Sequence, residues 1–143
     1  MSLTINQDVF PLAQVFTISR GSRTEAKVLS VKISRDGVSG WGECVPYARY
    51  NETAASVSAQ IESLPDAFDR QGLYELLPPG AARNAVDCAL WDLEAKQSGL
   101  RVWQLAGLPT PGPEITAYTL SLDSPENMRA QAAEHAHRPL LKI

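Results

Sequence analysis

The stretch Gly40 to Thr53, GWGECVPYARYNET, sets Arg49 between Tyr47 and Tyr50, just after a proline and a glycine-flanked tryptophan. A guanidinium fork between two phenols can take an anion while the ring faces take apolar groups. The stretch therefore reads either as the wall of a binding site or as a strand leaving a core. An arginine pair, Arg20 and Arg23, lies in SRGSRTEA beside Gly21. Loop arginines are ordinarily solvated, but aimed into a site they hold a carboxylate in bidentate fashion. Other candidates fail on spacing. Glu43 has no partner carboxylate nearby in the chain and reads as structural. Asp87 and Asp92 are five apart in a helical pattern, so they do not share a face. His135 and His137 are two apart in a helical pattern and should point to different sides, which makes them poor metal ligands. GVSGWG lacks the order GxGxxG, and no helix follows it directly, so it is no phosphate cradle.

These side chains need elements to position them. LTINQDVFPL and QVFTIS are short and β-prone, with Pro11 expected to break between them. AKVLSVKIS puts Leu29, Val31 and Ile33 on one face. Asp36-Gly37 is a strong hairpin signal, because both turn positions favour positive φ. VSGWGECVP returns as the third strand of a small antiparallel sheet. Thr53 then caps a helix carrying Ala54, Val57, Ile61 and Leu64 at helical spacing, and Pro65 ends it. FDRQGLYELLPPG suggests a short helix. AARNAVDCALWDLEAKQSG is the best helix in the chain, with an apolar stripe of Ala82, Ala85, Val86, Ala89, Leu90 and Leu93 and Gly99 as its stop. VWQLAGL adds a turn or two.

GLPTPGP, Gly107 to Pro113, packs glycine and proline into a linker. Beyond it ITAYTL reads as a strand. DSPENMRAQAAEHAH reads as a helix with Ser124 at N-cap and Pro125 at N1, and PLLKI starts another strand. A β-α-β crossover implies a parallel sheet. Parallel sheets need cover on both faces, so Ile143 is expected to fall inside a longer β/α domain.

The chain has 143 residues, 44% hydrophobic and 20% charged, with a formal net charge of -3. That balance gives no pull towards nucleic acid or an anionic membrane, and leaves a homo-oligomer open. Cys44 and Cys88 form no CxxC pair and are expected to be two buried free thiols. The N-terminus has no basic, apolar leader pattern, and no apolar run approaches the roughly 18 residues that span a bilayer. The expectation is a soluble, cytoplasmic protein.

In this order the parts resemble the enolase superfamily. More narrowly they resemble its muconate-lactonizing subgroup and, within it, the L-Ala-D/L-Glu dipeptide epimerases. FTISRGSRTEAKV, GWGECVPYARYNET, GAARNAVDCALWDLEAKQSG and ITAYTLSLDSPENMRAQAAEHAHRPLLKI carry the match. The resemblance implies an α+β fold. Residues 1–112 would be a capping domain, a three-stranded antiparallel sheet with a helical bundle, and 113–143 the first β-α-β of an incomplete TIM-type barrel. The chemistry implied is abstraction of a proton α to a carboxylate, with bound Mg²⁺ offsetting the charge of the enediolate. Lys142 matches the first lysine of a Lys-x-Lys motif whose second lysine, the base, falls one residue past Ile143. Lys142 would hold that base's pKa down as a neighbouring cation. Arg20, with Arg23 behind it, matches the first capping loop, which contacts the substrate's carboxylate. Tyr47, Arg49 and Tyr50 match the second loop, and Thr119 ends the first barrel strand, a position that faces the substrate. Metal ligands are expected among none of these residues, and the 143 residues alone are expected to be inactive. The substrate that the resemblance implies is a dipeptide or a related carboxylate. The alternatives are an N-acylamino acid racemase, an o-succinylbenzoate synthase or a muconate cycloisomerase of the same subgroup. A non-catalytic α+β binding module with its β-α-β unit exchanged between protomers is the remaining alternative.

Overall fold

The computed structural model describes all 143 residues, Met1–Ile143. They form two compact units, Met1–Val9 with Lys27–Thr110 and Phe10–Ala26 with Pro111–Ile143. Strands β1 (Ser2–Ile18), β2 (Gly21–Arg35) and β3 (Val38–Cys44) make an antiparallel sheet in the order β1-β2-β3. Here the sequence misleads: Pro11 does not break β1, which continues through it for 17 residues. The reason is position in the sheet. β1 is an edge strand, and proline is tolerated where the missing N–H costs no ladder bond.

The first unit holds the sheet's core face. Asp36 and Gly37 turn the β2–β3 hairpin with φ of 52° and 79°, as a two-residue turn with the strands' own twist requires. The resulting register sets Leu29 opposite Cys44, Val31 opposite Gly42 and Ile33 opposite Gly40. All three aliphatics are buried.

Against that face lies α3 (Ala81–Ser98), whose buried residues are Ala82, Ala85, Val86, Ala89, Leu90 and Leu93. Gly99 ends it at φ 69°, a conformation glycine adopts without strain. The glycines of β3 explain how close helix and strand come. A Cβ on Gly42 would sit 2.0 Å from the Ala85 carbonyl oxygen, and one on Gly40 would sit 2.1 Å from that of Ala89. With no side chain on the strand and alanine on the helix, the two backbones are in direct contact. Asp92 adds a polar tie, accepting from the Trp41 N–H at 2.9 Å and pairing with Lys96.

Helix α1 (Ala54–Glu62) begins at Thr53, whose hydroxyl accepts from the Ser56 N–H while Ser56 reaches back to the Thr53 N–H. It contributes Val57 and Ile61 to the core, and α2 (Arg70–Leu76) contributes Leu73. Each buried aliphatic is worth about 1.5–3 kcal/mol of transfer free energy. The short helix α4 (Val102–Leu105) follows. Cys88, expected to be buried, is exposed. It falls one position past Asp87, outside the helix's apolar arc.

In the second unit, β4 (Tyr118–Thr119) pairs in parallel with β5 (Leu141–Lys142) across α5 (Pro125–Glu134). Ser124 caps α5 by accepting from the Asn127 N–H, with proline at N1. The β-α-β expectation therefore holds, but its elements are shorter than the patterns suggest. Strand geometry covers two residues of ITAYTL, and α5 stops at Glu134. His135 and His137 thus lie past the helix, with their rings 6.3 Å apart, instead of on opposite helical faces. The distal half of β1 joins this unit: the Leu122 N–H donates to the Thr17 carbonyl at 2.9 Å. Buried Ser121 is satisfied on both sides, accepting from the Thr17 N–H at 2.9 Å and donating to the Val15 carbonyl at 3.2 Å.

Candidate functional site

Thr119 and Lys142 are direct partners in the β4–β5 register, so their side chains leave the same face of the parallel pair. The Leu120 N–H donates to the Lys142 carbonyl at 2.9 Å, which holds the two strand ends together. Arg20 enters from the tip of the β1–β2 hairpin. There Gly21, at φ 136°, supplies a backbone conformation that other residues rarely adopt. Arg20, Thr119 and Lys142 line one cleft of about 470 Å³, walled on its apolar side by Phe16, Leu122 and Met128. That volume is in the range of small-molecule sites. Two cationic side chains and a hydroxyl against an apolar wall can take a carboxylate whose remainder is uncharged or apolar. Arg23 is exposed on β2 and does not line the cleft.

Tyr47, Arg49 and Tyr50 belong to the first unit. They sit on a single 3-10 turn, Ala48–Tyr50, that follows β3. The Tyr47 and Tyr50 rings are 5.7 Å apart at 58°, a tilted geometry favoured by aromatic quadrupoles. Tyr50 is 70% exposed. Both tyrosines line a second cleft of about 420 Å³ with Cys44, Glu52 and Asn84, and Arg49 does not. Asn51 leaves the turn at φ 59°, a region asparagine tolerates better than most side chains.

Glu52 is the residue that sequence reasoning missed. One carboxylate oxygen accepts from the Ala81 N–H at 2.7 Å and the other from the Tyr47 N–H at 3.2 Å. Its only signal in the sequence is an acid two residues before a helical run, and its helix partner lies 29 residues away.

Glu43 is exposed, and its carbonyl accepts from the Asn84 side chain. Burial, reinforced by the charges of Glu52 and Glu43, pushes the Cys44 thiol up to about 11, so it is no nucleophile at neutral pH. Burial and Asp87 also raise Cys88. His135 packs against Tyr118, with centroids 4.2 Å apart. No three His, Cys, Asp or Glu side chains come together in a way that could hold a metal ion. The residues present therefore do not fit a divalent metal site. No helix is long and apolar enough to cross a membrane.

The comparisons with known proteins agree with this architecture. The family model for the mandelate racemase / muconate lactonizing enzyme N-terminal domain matches residues 1–107. The L-Ala-D/L-Glu epimerase of Escherichia coli K12 is 42% identical over 99% of this chain and 46% of its own length. An N-acetyl-D-glutamate racemase of Pseudoalteromonas is 43% identical over 73% of this chain and 35% of its own. Among solved structures, an enolase family member from Agrobacterium tumefaciens with homology to dipeptide epimerases, with bound sodium and L-Ala-L-Glu, is similar at a TM-score of 0.92 and 51% identity. The similarity covers 99% of this chain and 44% of that one. A dipeptide epimerase from Enterococcus faecalis V583, complexed with Mg and L-Leu-L-Tyr, gives a TM-score of 0.84 at 25% identity, covering 99% of this chain and 44% of its own. The chain thus spans less than half the length of these relatives. A match through the sheet, the helices and the loops between them supports one conclusion: this chain belongs to the mandelate racemase / muconate lactonizing enzyme family, as the N-terminal capping domain of an enolase-superfamily protein.

Proposed function

We propose that this chain is the N-terminal part of a Mg²⁺-dependent, cytoplasmic dipeptide epimerase that abstracts a proton α to a carboxylate. Residues 1–112 serve as its capping domain, and 113–143 open a TIM-type barrel. The observation that carries this reading is the cleft that gathers Arg20, Thr119 and Lys142. Arg20, with Arg23 nearby in the chain, takes the substrate's carboxylate, and Thr119 hydrogen-bonds the substrate. Lys142 is the cation that keeps a neighbouring lysine base unprotonated. The proton leaves Cα to the base and a proton returns on the opposite face, inverting that carbon. Magnesium, when bound, offsets the second negative charge that develops on the carboxylate. Its ligands would be groups other than those of this chain, where no suitable cluster exists. Tyr47, Arg49 and Tyr50 contact the dipeptide's remaining side chain.

The test is solvent exchange. The intact enzyme with Mg²⁺ and L-Ala-L-Glu in D₂O should lose the glutamyl α-proton signal as L-Ala-D-Glu accumulates. The likeness to an N-acetyl-D-glutamate racemase favours a second reading, an N-acylamino acid racemase. Turnover of N-acetylglutamate, with no exchange in any L-Ala-X dipeptide, would select it.

A further inference from the structure

We propose that Glu52 is a positioning residue, a two-point clamp that fixes the Tyr47–Tyr50 turn to the N-terminus of α3. The turn closes on itself at its neck. The Tyr47 N–H donates to the Glu52 carboxylate at 3.2 Å, and the Glu52 N–H donates to the Tyr47 carbonyl at 3.4 Å. The other carboxylate oxygen takes the Ala81 N–H, the first of α3, at 2.7 Å. Gly80, the N-cap, offers no side chain of its own, so Glu52 supplies the anionic cap from outside the helix. Gly80 also makes room for it: a Cβ there would stand 2.9 Å from that same oxygen. Because α3 is seated directly on β3 at Gly40 and Gly42, the clamp passes the rigidity of the sheet–helix contact to the turn. Tyr47, Arg49 and Tyr50 are thereby presented in one arrangement. Preorganisation of that kind lowers the ordering cost of binding.

That Glu52 holds the turn is independent of function. That it thereby sets substrate affinity rests on the reading of the turn as a substrate contact. Two measurements on the intact protein separate these statements for Glu52→Ala, Glu52→Gln and Gly80→Ala. The last displaces the carboxylate without removing it, and remains informative if Glu52→Ala fails to fold. Amide hydrogen exchange over residues 45–51 should be about tenfold faster in Glu52→Ala, the loss expected for charge-assisted hydrogen bonds. Glu52→Gln and Gly80→Ala should be intermediate. KM for L-Ala-L-Glu should rise by a similar factor, with kcat within about twofold. A lower thermal midpoint with turn exchange unmoved overturns the clamp and leaves Glu52 as a helix cap alone. Faster exchange with KM unmoved keeps the clamp and overturns the turn's part in binding. The exchange measurement needs no turnover, so absence of dipeptide activity would defeat the proposed function without touching it.

Discussion

The two units are built on opposite terms. In the first, one continuous core runs from Leu29, Val31 and Ile33 through α1 and α2 to the whole inner stripe of α3. Within these 143 residues, the second unit buries only Leu120 and Ser121, α5 buries nothing, and Leu122, Leu140 and Ile143 are largely exposed. Yet the second unit holds the cleft with Arg20, Thr119 and Lys142, while the first offers a turn held by a helix. Burial and chemistry are thus divided along the chain. In a protein made of these 143 residues, stability should be decided by the first unit, and equivalent substitutions should cost more there.

The sharpest way to break that comparison is a methyl group on a glycine. Gly42→Ala puts a Cβ where the Ala85 carbonyl stands 2.0 Å away and the Ala89 N–H nitrogen 2.8 Å away. Neither can move without parting α3 from β3. A loss of about 3–5 kcal/mol in urea unfolding is expected. Gly112→Ala in the second unit meets nothing within 4 Å and should stay within about 0.5 kcal/mol of wild type. Similar losses at both positions would defeat the comparison.

Leucine deletions give the next largest contrast. Leu90 is 2% exposed inside the core and Leu120 is 5% exposed, so burial alone ranks them nearly equal. Leu90→Ala leaves a cavity inside the first unit's continuous core and should cost about 2–5 kcal/mol. Leu120→Ala lies among few other buried groups that would keep a cavity open, and should cost under about 2 kcal/mol. Urea midpoints at constant slope decide it.

Alkaline pH probes the first unit's core through Cys44. Its thiol is raised from 9.0 to about 11 by burial first, then by Glu52 and Glu43. The unfolded thiol therefore loses its proton at lower pH than the folded one. The resulting stability is fully present below about pH 9 and is lost as pH rises from about 9 to 11. Cys44→Ala should flatten the slope of stability against pH in that window, whatever it does to absolute stability. An unchanged slope would assign the alkaline loss to other groups.

How far the sequence foretold this division depends on how local each signal is. The α3 stripe, the Asp36-Gly37 turn and the Thr53 and Ser124 caps are set by neighbours within a few residues, and each could be read directly. The sheet–helix contact at Gly40 and Gly42 could not, because a glycine's meaning there comes from carbonyls more than 40 residues away. Glu52 was missed for the same reason, and Pro11 misread because edge position is a property of the sheet. At the site, Thr119 and Lys142 become neighbours through a parallel register, which the β-α-β pattern implied. The volume and walls of their cleft depend on β1 and could be seen only once the chain was folded.

The smallest effects test the comparison most closely, because the same chemistry is changed in both units. Thr53 and Ser124 are both N-caps whose hydroxyls accept from the backbone N–H three residues on. Replacing either with alanine should remove about 1 kcal/mol from its helix. Helix α1 is locked into the core by Val57 and Ile61, so Thr53→Ala should lower the global unfolding midpoint by that amount. Within these 143 residues helix α5 buries no residue, so in a protein of that length its loss has little to couple to. Ser124→Ala should leave the global midpoint nearly unchanged and instead speed amide exchange across residues 126–134 about fivefold. If both caps lower the global midpoint alike, the second unit shares the first unit's cooperativity despite its thin burial, and the division by burial is wrong.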